Sequence, residues 1–208
     1  QLSARDFIGL LQKRLRLQGL VVGPDFALGK GREGDVVTLQ RLAGDMRFQL
    51  LVVPHLTQGN EAVSSTAVRK ALSAGAMASV TRMLGRPYTL TGPVVSGKGQ
   101  GRVLGFPTAN MQVNHNATIP ADGVYVTRAY ISNESYPSVT NIGQCPTFGG
   151  CERTVEVFLL DYSGDLYNQT LTIDVLERIR AEKRFDSPQE LQKQINQDVQ
   201  KARKIFIG

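Results

Sequence analysis

After Pro87 the chain breaks into short apolar segments, Tyr88–Val95, Gly123–Ile131, Ser138–Ile142, Thr154–Tyr162 and Leu171–Ile179, separated by Gly, Pro and Asn. Each segment has the length of a strand, and Ser163-Gly164-Asp165 is a strong turn former between two of them. Many short strands with frequent turns predict an antiparallel barrel or sandwich. The chain then ends in a helix with a marked start. Ser187 suits the N-cap, Pro188 the first helical position and Glu190 the third, a full capping box. Leu191, Ile195, Val199 and Ala202 form one stripe that should pack on the strands.

Before Pro87 the pattern is α/β. Ser3 is a plausible N-cap with Asp6 three residues on, and Phe7, Leu10, Leu11 and Leu15 share one helical face. Leu20 to Val22, ended by Gly23-Pro24, and Phe48 to Val53, stopped by Pro54, read as two buried parallel strands. Val36, Leu39 and Leu42 recur at helical spacing between them. Ser64-Ser65-Thr66 opens a further helix through Leu72, and a short one covers Ala78 to Leu84. This is the grammar of a doubly wound parallel sheet, but with two strands it reads as the C-terminal part of such a domain. The boundary falls near Gly85-Arg86-Pro87, giving modules at residues 1–85 and 86–208. An incomplete sheet exposes an apolar edge, which predicts self-association measurable by light scattering.

Composition closes off several function classes. The 208 residues carry 24 Lys and Arg against 18 Asp and Glu, a net charge of +6, with two Cys and two His. No stretch approaches the ~18 apolar residues of a membrane helix, and no secretory leader is visible. Two cysteines cannot scaffold a chain of this size, so a reducing cytoplasm is the expected compartment. His55 and His115 lie too far apart for a histidine-rich metal site. The positive charge fits an anionic ligand such as a nucleotide, and also weak attraction to nucleic acid. A nucleic-acid-binding barrel interleaves aromatic and basic residues on exposed strands. Here aromatics are 7% with no Trp, and the basic residues gather in loops. The first residue is Gln1 rather than Met, as in a processed product or a piece of a longer chain.

Three places could carry chemistry. In Gly97-Lys98-Gly99-Gln100-Gly101-Arg102 the alternating glycines let backbone N–H groups turn toward an anion, and two cations sit beside them. The same pattern also suits a solvated hairpin tip. Thr108 and Asn110 alternate with Ala109, so in an extended segment their side-chain oxygens share a face. Such a pair suits Mg²⁺, which takes oxygen ligands and leans on substrate phosphates, or it bonds local backbone after Pro107. Glu156 lies in Thr154-Val155-Glu156-Val157-Phe158-Leu159-Leu160, sharing a face with Phe158 and Leu160. Desolvation there would make it a better proton acceptor; the alternatives are an ion pair with Arg153 or Arg128, or an edge position facing water.

Taken in order, these segments resemble the riboflavin kinase domain of the bacterial bifunctional riboflavin kinase/FMN adenylyltransferases, the FAD synthetases. The resemblance rests on Leu84-Gly85-Arg86-Pro87-Tyr88, the run from Gly97 to Asn110, Pro120 to Tyr125, and Asn141-Ile142-Gly143 with Pro146-Thr147-Phe148-Gly149. It continues through Arg153 to Asp161, Asp165-Leu166-Tyr167 and Arg180 to Ser187. It implies an α/β plus all-β chain: a partial doubly wound, Rossmann-like nucleotidyltransferase module, then a six-stranded antiparallel β-barrel with a C-terminal α-helix. It further implies that Gly97, Lys98, Gly99, Gly101 and Thr108 hold ATP, that Thr108 and Asn110 ligand Mg²⁺, and that Glu156 is the catalytic base. Arg180, Glu182 and Phe185 would form a flap over riboflavin. Upstream, Ser64, Ser65, Thr66 and Arg69 resemble the family's adenylyltransferase phosphate site. The glycine-rich turn and paired-histidine motif of that module have no counterpart here, so the expectation is that this chain does not adenylylate FMN. The expected partners are therefore riboflavin and ATP, without nucleic acid or membrane.

Overall fold

The computed structural model describes every residue except Gln1, Gly59, Asn60, Lys98, His115, Asn133, Phe148, Gly149 and Gly208. For residues 58, 61, 100, 145–147, 150–152 and 207 it describes the backbone alone. The chain divides into two compact units, Gln1–Val63 and Ser64–Gly208.

In the first unit, helix α1 (Ala4–Leu15) starts as its sequence predicts. Ser3 Oγ accepts from the Asp6 amide at 3.1 Å and donates to the Asp6 carboxylate at 2.6 Å. Helix α2 (Val36–Met46) is capped by Asp35, which accepts from the Thr38 amide at 2.8 Å. Strand β1 (Gly19–Val22) pairs in parallel with β2 (Gln49–Val52), Leu20 opposite Leu50. A two-stranded ribbon, β3 (Thr57–Gln58) with β4 (Glu61–Ala62), follows. The two helices cover one face of the β1–β2 pair, where Ile8, Leu39, Leu42 and Phe48 pack with Leu20 and Leu50. The alternate side chains do not share that burial: Val21 is 65% exposed and Leu51 59%. The expectation of two fully buried strands is thus corrected. The apolar runs are buried on one face only, because both covering helices lie on the same side.

The second unit begins with helices α3 (Ser65–Ala74) and α4 (Met77–Leu84), which turn at Gly75 with φ +69°. Leu72, Met77 and Val80 of this hairpin pack into one core with Leu90, Tyr125 and Ile173 of the strands that follow. By packing, therefore, the hairpin belongs with those strands.

The strands are β5 (Tyr88–Val95), β6 (Ala109–Met111), β7 (Gly123–Ile131), β8 (Glu134–Thr147), β9 (Gly150–Leu159) and β10 (Thr170–Arg180). They close into an antiparallel barrel in the order β10-β5-β6-β9-β8-β7. Closure gives every strand a neighbour on both sides, where an open sheet would leave two edge strands. Between β5 and β6 lies one helical turn, α5 (Gln100–Val103). Successive residues face opposite ways. Tyr125 joins the core with Leu90 and Ile173, while Val124 and Val126 join a second core under helix α6 (Pro188–Ile207) that includes Val139, Leu160 and Ala202. Thr127 is fully buried and meets the Ser138 and Thr140 hydroxyls at 2.7 Å each, so these buried polar groups satisfy one another.

Helix α6 begins as predicted, with Ser187 Oγ accepting from the Glu190 amide at 3.3 Å. Near its end Arg203 donates to both Asp161 oxygens at 2.7 Å. That fork holds the Asp161 carboxyl below its ordinary 3.8. A carboxyl lowered on folding contributes stability in full above its ordinary value, and loses it as pH falls through the lowered one. Asp161→Asn should therefore narrow the stability gap between about pH 5 and about pH 3, read as urea midpoints. An unchanged gap would show that the fork does not couple to folding.

Candidate active site

Strand register brings the site residues into one row. Val95 pairs with Asn110, Asn110 with Glu156, Glu156 with Asn141, Asn141 with Val124, and Val124 with Arg180. Directly paired residues of adjacent strands present their side chains on the same face, with Cβ atoms about 5 Å apart. The row thus sets an amide on either side of the Glu156 carboxylate. It lies on the face of the strands that carries Phe158, Val139 and Val124, the face packed by α6. Arg153 and Arg128 are engaged elsewhere. Arg153 binds Asp122 and the Ile119 and Pro120 carbonyls, and Arg128 sits 5.5 Å from the Phe206 ring centre.

The glycine loop packs against the Thr–Asn pair. A Cβ on Gly97 would collide with the Asn110 amide, and one on Gly101 would meet the Phe106 carbonyl and lie 3.2 Å from Thr108 Oγ1. Gly99 adopts φ +69°, which a side chain would disfavour. The loop closes on itself through Arg102 N to Gly99 O at 3.2 Å and Phe106 N to Gly101 O at 2.8 Å. Gly97, Gly99, Thr108 and Asn110 line a cleft of about 650 Å³, with Arg102 on its wall. The segment from Tyr162 to Tyr167 walls it too, its turn held by the Asp165 carboxylate accepting from the Tyr167 amide at 2.9 Å. Lys98 lies outside the described residues.

The remaining predicted residues divide into two groups. Arg180 stands at the end of the register row, its guanidinium carbon 5.8 Å from the Phe185 ring centre. Glu182 reaches back over β8, where its carboxylate occupies the space a Gly143 side chain would need. Ser64 caps α3, accepting from the Ala67 amide at 3.1 Å, and Ser65, Thr66 and Arg69 lie exposed on the first turns of that helix.

The cleft wall includes Arg102, one of the two cations the sequence sets beside the glycines. Two features go beyond the sequence reading of the site. Asn141 becomes a neighbour of Glu156 only through β8–β9 register. Asp198 of α6 is 1% exposed and binds Arg180. Asp198 had a legible signal, being three residues after Ile195 and four before Ala202, a charge set within an apolar stripe.

As for a metal, no group of three His, Cys, Asp or Glu among the described residues could hold one. The hydroxyl and amide oxygens of Thr108 and Asn110, converging on one cleft, fit an ion that keeps waters and binds phosphate oxygens.

A closed barrel with this loop, this Thr–Asn pair and this carboxylate has a known class. The chain belongs to the riboflavin kinase family, whose model matches residues 84–206, and an FAD synthetase model matches residues 1–67. Among individual proteins it is 40% identical over 207 residues to the bifunctional riboflavin kinase/FMN adenylyltransferase of Escherichia coli K12, and 39% identical over 206 to that of Pseudomonas fluorescens. These alignments cover 99% and 98% of this chain, which spans 66% of the length of each relative. A crystal structure from Streptococcus pneumoniae, titled a macrolide-efflux protein, superposes with a TM-score of 0.89 at 30% identity. It covers 98% of this chain and is itself covered to 66%. Among the described residues no helix is long and apolar enough to cross a membrane.

Proposed function

We propose that this chain is a riboflavin kinase, transferring the γ-phosphate of ATP to the ribityl 5′-hydroxyl of riboflavin to give FMN and ADP. The register pair Asn110–Glu156 carries the reading, because it sets a carboxylate beside a cleft lined by a glycine loop and two oxygen donors. Gly97, Gly99 and Gly101, aided by Lys98, hold the ATP phosphates. Thr108 and Asn110 would hold Mg²⁺, which when bound would offset the negative charge of the phosphates. Glu156 accepts the ribityl hydroxyl proton as that oxygen bonds to the γ-phosphorus and the bond to the β–γ bridging oxygen breaks, releasing ADP. Such a transfer asks mainly for positioning and charge neutralisation, so few side chains suffice. Glu182 and Phe185 close over the flavin. The functional modules divide at 85/86, with the cytoplasm as the place of action.

Ser64, Ser65, Thr66 and Arg69 stand as a phosphate site inherited from the adenylyltransferase module, and the 208-residue chain forms no FAD. Incubation with riboflavin, ATP and Mg²⁺, followed by chromatographic separation of flavins, tests both statements. FMN without FAD is the expected result. Riboflavin left unconverted would overturn the kinase reading, and FAD would overturn the second statement.

A further inference from the structure

Arg180 has each of its three guanidinium nitrogens engaged by its own chain. Nε donates to Asp198 Oδ2 at 2.9 Å, Nη2 stands 2.8 Å from the same oxygen as an ion pair, and Nη1 donates to the Ala181 carbonyl at 3.1 Å. Asp198 comes from α6 and is 1% exposed, and its second oxygen accepts from Gln194 Nε2 at 3.1 Å. A carboxylate this deep is retained only when paired, and two guanidinium nitrogens on one carboxylate oxygen, with Nη1 on a backbone carbonyl, hold the guanidinium in place. The Phe185 ring stands 5.8 Å from that guanidinium and 5.6 Å from Lys183 Nζ, within cation–π range of both. The same Arg180 ends the register row that runs through Val124 and Asn141 to Glu156. Three strand spacings of about 4.8 Å separate the two ends, roughly 14 Å.

We infer that Asp198, seated by Gln194, is a positioning residue for flavin recognition: it fixes Arg180, and Arg180 fixes Phe185 over the flavin. Arg180 is then a support and not a donor to the flavin, and Phe185 is the group that meets the ring. The inference rests on the kinase reading. Its physical basis is preorganisation, since an aromatic side chain already held in place loses little freedom when the ligand arrives. Arg180 alone could not hold the ring, because without Asp198 its guanidinium would turn toward water.

The test uses the full chain, with riboflavin affinity read by flavin fluorescence and turnover by FMN formation. Asp198→Asn keeps the shape and removes the charge. It should weaken riboflavin binding by about tenfold and raise its KM in step, with kcat at saturating riboflavin and the KM for ATP within about twofold. In a Phe185→Ala background the same substitution should change riboflavin affinity by less than about twofold, because both act through one ring. Gln194→Ala, which removes one bond and no charge, should weaken binding by about threefold, and it carries the test should Asp198→Asn not fold. Unchanged riboflavin affinity in folded Asp198→Asn or in Gln194→Ala, or effects that simply add with Phe185→Ala, would overturn the inference. Parent chain that binds no riboflavin would instead remove the kinase reading on which it stands.

Discussion

Replacing Glu156 by Gln should lower FMN formation by about three orders of magnitude while riboflavin and ATP bind as before. Gln keeps the volume and the hydrogen-bonding reach of the side chain, but its amide cannot take a proton from the ribityl hydroxyl. Loss of a positioned general base costs on the order of 10²–10⁴ in rate. Asn110 and Asn141 flank Glu156 by register and continue to hold the site's shape, so the loss falls on kcat and not on KM. Steady-state kinetics with fluorescence titration separates the two. A variant within tenfold of the parent rate would show that the carboxylate is not the base. A parallel loss of riboflavin affinity would make Glu156 a binding group instead.

Gly97→Ala is expected to be nearly as damaging, for a steric reason. The added methyl would fall where the Asn110 amide lies, so one of the two must move. Asn110 is held on β6 between β5 and β9, and its backbone has little room to retreat. The side chain therefore swings from the cleft and takes with it the oxygen proposed to bind Mg²⁺. Misplacement of a positioning group by about 1 Å can cost 10²-fold. FMN formation should fall by about that factor, and part of it should return as Mg²⁺ is raised, because the weakened step is cation binding. Full activity at low Mg²⁺ would show that Asn110 is not a metal ligand. Gly99 gives a contrast: a Cβ there meets nothing within 4 Å, so the cost of a side chain lies in its φ of +69° alone.

Most of the secondary structure was legible because local rules act within a few residues. The Ser3 and Ser187 caps and the strands Tyr88–Val95 and Gly123–Ile131 all follow from side-chain chemistry and alternation. Strand β6 was less legible. At three residues it is too short for alternation to declare itself, and its place between β5 and β9 is a long-range fact. The one-sided burial of β1 and β2 is not legible for a related reason. A run of apolar residues looks the same whether one face or both are covered, and which face α1 and α2 take is decided by packing.

The candidate site divides along the same line. The residue types, the glycines that let backbone approach closely and the alternation of Thr108 with Asn110 were determined by the sequence alone, since each depends on covalent neighbours. The sequence also carried the family likeness, through the order and spacing of its motifs. Tertiary structure alone decided that Asn110 and Asn141 flank Glu156, because register is set by barrel closure across segments far apart in the chain. It alone decided that Arg180 is paired with a buried aspartate of the last helix. A charge on an apolar stripe signals that some partner exists, but the identity of that partner is a matter of which surfaces pack together.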